Sequence, residues 1–279
     1  MKIVWGTVLL LTALVTGAAK AAEQSPPLVM TIPKGITPVW RGIGADEGAG
    51  TNGMTMLYPA PNAGGLLVAI LTHAAIVQGE RSADRAARQA EADRVLETHA
   101  ATIAALSAEL LLAAARERLP KLMLDASRGL IVEIEPRYSL SMDQRTLILD
   151  STFRVHAADT PSVTRFENTV RVVSTPCEAE DPAAHWAAEA GSALKKESVA
   201  MLAHSLQVAL APLAPTNPKA FRTQRYRFGQ SEKIERGQPV ASGCARIVLR
   251  TLRDWLMSVP IAPTEGVAPC QDPYTLFTG

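Results

Sequence analysis

The chain has 279 residues, 47% of them hydrophobic and 20% charged, with 28 Lys and Arg against 27 Asp and Glu for a formal charge of +1. That balance belongs to a globular chain able to bury a substantial core, which excludes disorder throughout, and it gives no support to whole-protein attraction to nucleic acid. Aromatics are only 5%, so the core must be filled mainly by Ala, Leu, Val and Ile.

The N-terminus reads as a secretory signal peptide over residues 1–21. Lys2 precedes an apolar run from Ile3 to Val15, and Ala19-Lys20-Ala21 supplies a small-residue cleavage site. The run is shorter than the roughly 20 apolar residues of a spanning helix. Cleavage after Ala21 gives a mature chain from Ala22, without an integral membrane span and with 26 basic against 27 acidic residues. The expected compartment is oxidising, for a bacterial source the periplasm or the outside, with the periplasm preferred.

Residues 22–65 form an extended arm rich in Pro and Gly, with short strands expected at Leu28 to Ile32 and Thr55 to Tyr58. Within it, "GAGTNG" (Gly48, Gly50, Gly53) copies the G-x-G-x-x-G pattern of dinucleotide sites. A dinucleotide fingerprint follows a buried strand and opens a helix. Here "MTMLYPAP" follows instead, so the glycines are read as bends and no cofactor is expected.

A single α+β domain is expected over residues 66–260. It opens with the apolar run "LLVAILTHAAIVQG", read as helix and continuing into a stretch of mixed charge from Glu80 to Glu97. His73 in that run has no partner at metal spacing, and no metal is expected. A further helix starts at the N-cap Ser107 and ends near Pro120.

After Gly129 the period becomes two, placing Val132, Ile134, Tyr138, Leu140 and Met142 on one face and Ile131, Glu133, Glu135, Arg137 and Ser139 on the other. A turn at Asp143-Gln144 leads into Leu147, Leu149, Phe153 and Val155, and a third strand carries Phe166, Val170 and Val172. The pattern predicts an antiparallel β-meander with one apolar face, packed against long helices. Glu133 and Glu135 could serve as paired carboxylates, but both lie on one strand beside Arg137, which reads as an exposed surface of mixed charge.

Asp181 to Ala211 reads as one long helix, with Pro182 in its first turn, Pro212 as its stop and an inward stripe of Ala187, Ala190, Leu194, Met201, Leu202 and Ala209. It contains "SALK", Ser192 to Lys195, which fits the S-x-x-K of serine acyl enzymes. Neither S-D-N nor K-T-G accompanies it, and the motif falls in mid-helix. The adjacent His204-Ser205 faces two directions.

From Thr216 to Arg253 the chain is strongly basic, and Arg222, Arg225, Arg227, Arg246 and Arg250 make up a candidate anion surface interleaved with Phe221, Tyr226 and Phe228. The competing reading is a set of edge strands kept soluble by Arg. Residues 245–259 carry both helical and strand patterns, the β-branched content favouring strand after a hairpin at Ser242-Gly243. The tail 261–279 is expected to be irregular. Of the cysteines, Cys177 and Cys270 sit in Pro-flanked loops and form the expected disulfide, leaving Cys244 unpaired.

These readings favour a non-enzymatic exported protein that binds or assembles an envelope component, its partner an envelope protein or an anionic lipid or glycan and not nucleic acid. The alternative is a cell-envelope hydrolase using Ser192 and Lys195.

Overall fold

The computed structural model describes residues 27–33, 36–43, 84, 86–211, 213, 215–243, 245–261, 272–274 and 276–277. The fold is mixed α+β, with a large sheet of ten strands and a few helices. The segment read as a signal peptide, the GAGTNG stretch, the strand expected at 55–58, the 66–79 run with His73, and both Cys244 and Cys270 lie outside the described residues.

The alternating segment after Gly129 forms β3 (Leu130–Ser141), β4 (Leu147–Ala157) and β5 (Thr160–Val173), paired antiparallel in sequence order. Pleating sends Val132, Ile134, Tyr138, Leu149, Phe153 and Val172 to one buried face, which we term the back. Met142 does not join that row. The strand ends at Ser141 and the side chain, in the turn, is 47% exposed.

A second meander follows, β7 (Ser231–Gly243), β8 (Arg246–Thr251) and β9 (Leu256–Pro260). The ambiguous 245–259 stretch is therefore two strands, broken by a turn in which Asp254 takes φ +63°. The meanders meet where β5 and β9 run parallel, Val170 beside Leu256 and Val172 beside Ser258.

Each outer edge is extended by short strands. Against β3 lie β1 (Val29–Thr31) and β2 (Val39–Ile43), both parallel to it. Against β7 lie β6 (Arg222–Phe228) and β10 (Leu276–Phe277). The tail, expected to be irregular, thus returns to the sheet, and Tyr274 just before β10 is buried.

The helices are α1 (Ala86–Ala104, tightened to 3-10 geometry over Arg94–His99), α2 (Ala108–Glu117), α3 (Lys121–Ala126) and α4 (Pro182–Leu210). Ser107 caps α2 by accepting from the Leu110 N–H at 3.2 Å, and Asp181 caps α4 by accepting from Ala184 at 3.0 Å. Leu111, Leu194, Met201, Leu202 and Leu206 join the back-face residues in one apolar cluster. Tyr138 donates its hydroxyl to the Ser198 carbonyl at 3.0 Å inside it, and burial holds its pKa far above the ordinary phenol value.

Strand β2 is held by α1 through Gly42. Its N–H donates to Asp93 Oδ1 at 2.7 Å and its carbonyl accepts from Gln89 at 3.1 Å, while a Cβ here would stand 1.8 Å from the Ala92 carbonyl oxygen. Only glycine permits that approach.

Helix α4 is not one regular helix. Glu189 (φ +50°), Ala190 (φ +53°) and Gly191 (φ +77°) turn left-handed, a conformation costing roughly 1–2 kcal/mol per non-glycine residue. The break explains why Ala190, expected inward, is exposed. Beyond it the helix runs buried on most sides, with Ser198, His204 and Ser205 among its enclosed residues.

Phe153, fully buried at the centre of the meander, gives a direct check of the back-face register. Phe153→Ala is expected to cost about 3–5 kcal/mol in urea unfolding. A loss below about 0.5 kcal/mol would mean that this face is not the packed one.

Candidate functional site

The front of the sheet carries the other half of the pleat. Ile43, Ile148, Val173, Ile247, Leu249, Met257 and Val259 form a second, smaller apolar cluster there. Tyr226 and Phe228 of β6 fold over its edge. Between this cluster and the β6–β7 hairpin lies a groove of about 560 Å³, within the size range of small-molecule sites, about 300–1,000 Å³.

Polar groups cross its floor in a fixed arrangement. Arg171 donates to both oxygens of Asp150, Nε to Oδ1 at 2.6 Å and Nη2 to Oδ2 at 2.7 Å. These bonds raise the Arg171 pKa against the opposing effect of burial, so the guanidinium is permanently charged and oriented. Two guanidinium groups approach the Trp255 ring, Arg171 at 5.6 Å and Arg253 at 6.0 Å from its centroid. Lys233 lies 5.2 Å from the Phe228 ring centroid. Burial, followed by the Glu235 charge, pushes the Tyr226 hydroxyl up to about 12, so it stays protonated and able to donate. Arg41, Arg171, Lys233 and Arg253 line the groove against Asp150 and Glu235, leaving it net cationic.

The hairpin that walls the groove is pinned at its far end by the β3–β4 turn. Asp143 Oδ2 accepts from the Gln230 N–H at 3.0 Å, and Thr146 Oγ1 accepts from Gly229 at 2.6 Å. The other Asp143 oxygen accepts from Ser141 and Arg145. Burial raises the Asp143 pKa, but these hydrogen bonds outweigh it and hold the carboxyl below its ordinary value. The same turn reaches the helices. Trp186 of α4 donates to the Gln144 carbonyl at 2.6 Å, His99 of α1 meets Gln144 Oε1 at 2.9 Å, and Arg145 donates to the carbonyls of Cys177 and Ala179.

The five arginines of the expected anion surface do not form one. Arg225 and Arg227 share a face of β6 and are engaged by Glu232 and Glu178, each at 2.6 Å. Arg222 alternates to the other face. Arg250 donates to Thr216 at 2.7 Å and lies 3.6 Å from Asp254. Arg246 is no surface residue at all, being fully buried. Alternation and acidic partners divide what the linear charge count gathers together.

Arg246 instead centres a buried polar cluster on the back of β8. Its Nε donates to Ser258 Oγ at 3.0 Å, and its Nη2 donates to the carbonyls of Ser258 and Val173. The guanidinium lies 4.6 Å from the Tyr274 ring centroid, and the Tyr274 hydroxyl donates to Glu197 at 2.5 Å. His204 Nδ1 is 2.8 Å from the Tyr274 carbonyl oxygen, which only accepts, so that nitrogen carries the proton and Nε2 accepts from Ser258 at 2.7 Å. Burial first, and then the Arg246 charge, push the imidazole from 6.5 down to about 3. Burial also raises the Glu197 pKa, against its bond from Tyr274. Serine donating to a neutral histidine resembles a nucleophile and its base, but both residues are 0% exposed and meet no cleft.

Ser192 and Lys195 are not in mid-helix. The left-handed break places Ser192 at the head of the resumed helix, exposed, in an open depression shared with Arg118, Glu189, Lys195 and Lys196. Among the described residues no hydrogen bond joins Ser192 to Lys195. Glu133 and Glu135 face partners on the neighbouring strand, Glu135 accepting from Arg154 at 2.8 Å and Glu133 lying 4.0 Å from His156 Nε2. Cys177 is half-buried and has no disulfide partner among the described residues. Among the described residues no His, Cys, Asp and Glu cluster could hold a metal ion, and no single helix is long and apolar enough to cross a membrane. Comparison with protein-family models, curated proteins and solved structures found no match to this chain.

The groove was not singled out from sequence. Asp150 and Arg171 stand opposite each other only through the β4–β5 register, and irregularities between Val155 and Ala157 displace any register counted from the turn. Trp255 and Arg253 sit beside a strand break with no local signature.

Replacing Asp143 by Ala is expected to release the hairpin from the β3–β4 turn. Amide exchange at Gly229 and Gln230 should accelerate at least tenfold while amides of β4 keep their protection; unchanged exchange at both would show that the hairpin is held elsewhere.

The buried histidine sets a pH dependence of known sign. Between pH 6.5 and pH 3 the unfolded chain binds a proton at His204 that the folded one refuses, so stability falls as pH drops through that window. Glu197, with its raised pKa, opposes this by stabilising the fold at low pH. His204→Gln should flatten the fall in urea-unfolding stability below pH 6.5. An unchanged slope would remove His204 as its source.

Proposed function

We propose that this chain is an exported, non-enzymatic binding protein of a bacterial periplasm, and that the front groove is where it meets an anionic envelope component. The observation that supports this reading is the combination in one concave site of an aromatic platform, a saturated ion pair and unmatched cations. Two guanidinium groups approach the Trp255 ring, Asp150 is fully engaged by Arg171, and Lys233 and Arg253 make no ion pair among the described residues. Such a floor suits recognition of an anion: its fixed charges orient one, although Glu235 in the same lining is a carboxylate that makes no ion pair among the described residues.

On this reading the long helices behind the antiparallel meander are a rigid backing, and the Pro- and Gly-rich arm over residues 22–65 joins it to the export signal. A Cys177–Cys270 disulfide would tie the tail to the loop after β5. Hydrolysis by Ser192 and Lys195 keeps one favourable observation, the place of Ser192 at a helix head. Against it, the depression is open to solvent and no hydrogen bond joins Ser192 to Lys195 among the described residues.

The test is made in intact cells. The mature protein should be released with periplasmic contents and have an intact mass beginning at Ala22. A photo-crosslinking residue at Leu252 on the groove rim should capture an envelope component, whereas one at Val163, 57% exposed on β5, should not. Equal capture at both positions, or retention of residues 1–21 in the membrane, would overturn the reading.

A further inference from the structure

Resting on the binding reading of this groove, we propose that its occupant is a single-chain amphiphile with an anionic head, a carboxylate or a phosphate held by Lys233 and Arg253, and an alkyl chain lying along the apolar floor. Four observations carry this assignment.

The first is the distribution of charge. Arg171 has its carboxylate, whereas Lys233 and Arg253 make no ion pair among the described residues and are each held near an aromatic face. Two like charges placed in one groove repel each other, and an anion between them relieves that repulsion. The second is an exposed aliphatic side chain in the groove lining beside one of the cations: Leu252, next to Arg253, is 67% exposed. Large aliphatic side chains left in water on the rim of a site mark a place where apolar surface is covered on binding.

The third is the floor beneath them. Ile43, Ile148 and Met257 are buried and apolar, and the ion pair crossing the floor is internally neutral, so an alkyl chain laid over them meets no lone charge from the floor; Glu235, the other carboxylate of the lining, belongs to the hairpin wall. The fourth is the shape: about 560 Å³ running beside a strand hairpin suits one chain with one head, not a bilayer surface or a folded partner, which would need a much larger flat face.

The experiment titrates the mature protein, below micelle concentrations, with the carboxylates from hexanoate to dodecanoate, and with dodecyl phosphate, dodecyl trimethylammonium, acetate and inorganic phosphate. Heat and Trp255 fluorescence are read together, with Trp255→Phe identifying the signal of that ring. Dodecanoate or dodecyl phosphate is expected to bind, with affinity rising about fourfold per methylene along the carboxylate series and the stronger head group thereby identified. The double variant Lys233→Gln/Arg253→Gln, with Lys233 half-buried and Arg253 exposed, should lower the affinity for the preferred anion at least tenfold.

Equal binding of the trimethylammonium head would overturn the anionic assignment. Acetate or inorganic phosphate binding as well as its long-chain counterpart would overturn the amphiphile while leaving the groove as an anion site. Absence of heat and of any Trp255 response to every probe, with crosslinking at Leu252 still successful, would overturn the ligand class alone; absence of both would overturn the binding reading itself.

Discussion

The constraint on which the molecule depends is the turn between β3 and β4. Asp143, Gln144 and Arg145 occupy consecutive positions, yet they reach three separate parts of the chain: the β6–β7 hairpin, the helices α1 and α4, and the loop after β5. Gln144 can do this because it sits at φ +54°, which swings its carbonyl toward Trp186 while its side chain meets His99. The turn therefore sets the distance between the helix layer and the sheet at one end. It also decides how far the hairpin leans over the front face. Without it the groove would have a floor and no wall.

Two arginines show how the same charge is put to different uses on the two faces. Arg171, on the front, has a bidentate carboxylate, and its guanidinium presents a neutralised edge to the groove. Arg246, on the back, contacts no carboxylate directly among the described residues; its charge is met by carbonyls, by the Tyr274 ring and by Glu197 at one remove. Removing a buried cation from such a setting leaves several acceptors unsatisfied, whereas keeping it requires every one of those partners in place. Arg246 thus joins α4, β9 and the C-terminal segment, while Arg171 leaves the front surface ready for a ligand. Recognition and cohesion are separated by the thickness of the sheet.

The parts of this fold that were legible in sequence are those in which a local pattern meets no competitor. Val132, Ile134 and Tyr138 alternate with Glu133 and Glu135, and the back face follows that pattern. Strand β2 was not legible, because Pro38 and Gly42 read as breakers in a Gly-rich arm; its Gly42 is there for the approach of α1, a contact that no local rule contains. The break in α4 was hidden for the opposite reason. Glu189 and Ala190 are good helix formers, and only tertiary packing around Gly191, where a Cβ would stand 2.3 Å from Thr102, accounts for the left-handed turn. Arg246 was read as exposed because it lies in a basic run. Its partners Ser258 and Tyr274 are distant in sequence, and the compensation that permits its burial exists only once the strands are assembled.

The parallel seam between β5 and β9 bears on how the chain reaches this structure. Asn168 beside the seam bonds the Asp254 carbonyl, 86 positions later, so closing the sheet waits for nearly the whole chain. The first meander needs no such delay, since β3, β4 and β5 are joined by short turns. As the polypeptide emerges N-terminus first, that half forms early with the inner edge of β5 uncovered, Val170 and Val172 among its residues. An apolar strand with unpaired backbone groups is a template for any other strand nearby, including the same edge of a second copy. Intermolecular pairing is therefore the reaction that competes with folding, and the arrival of Leu256–Pro260 is what ends the competition.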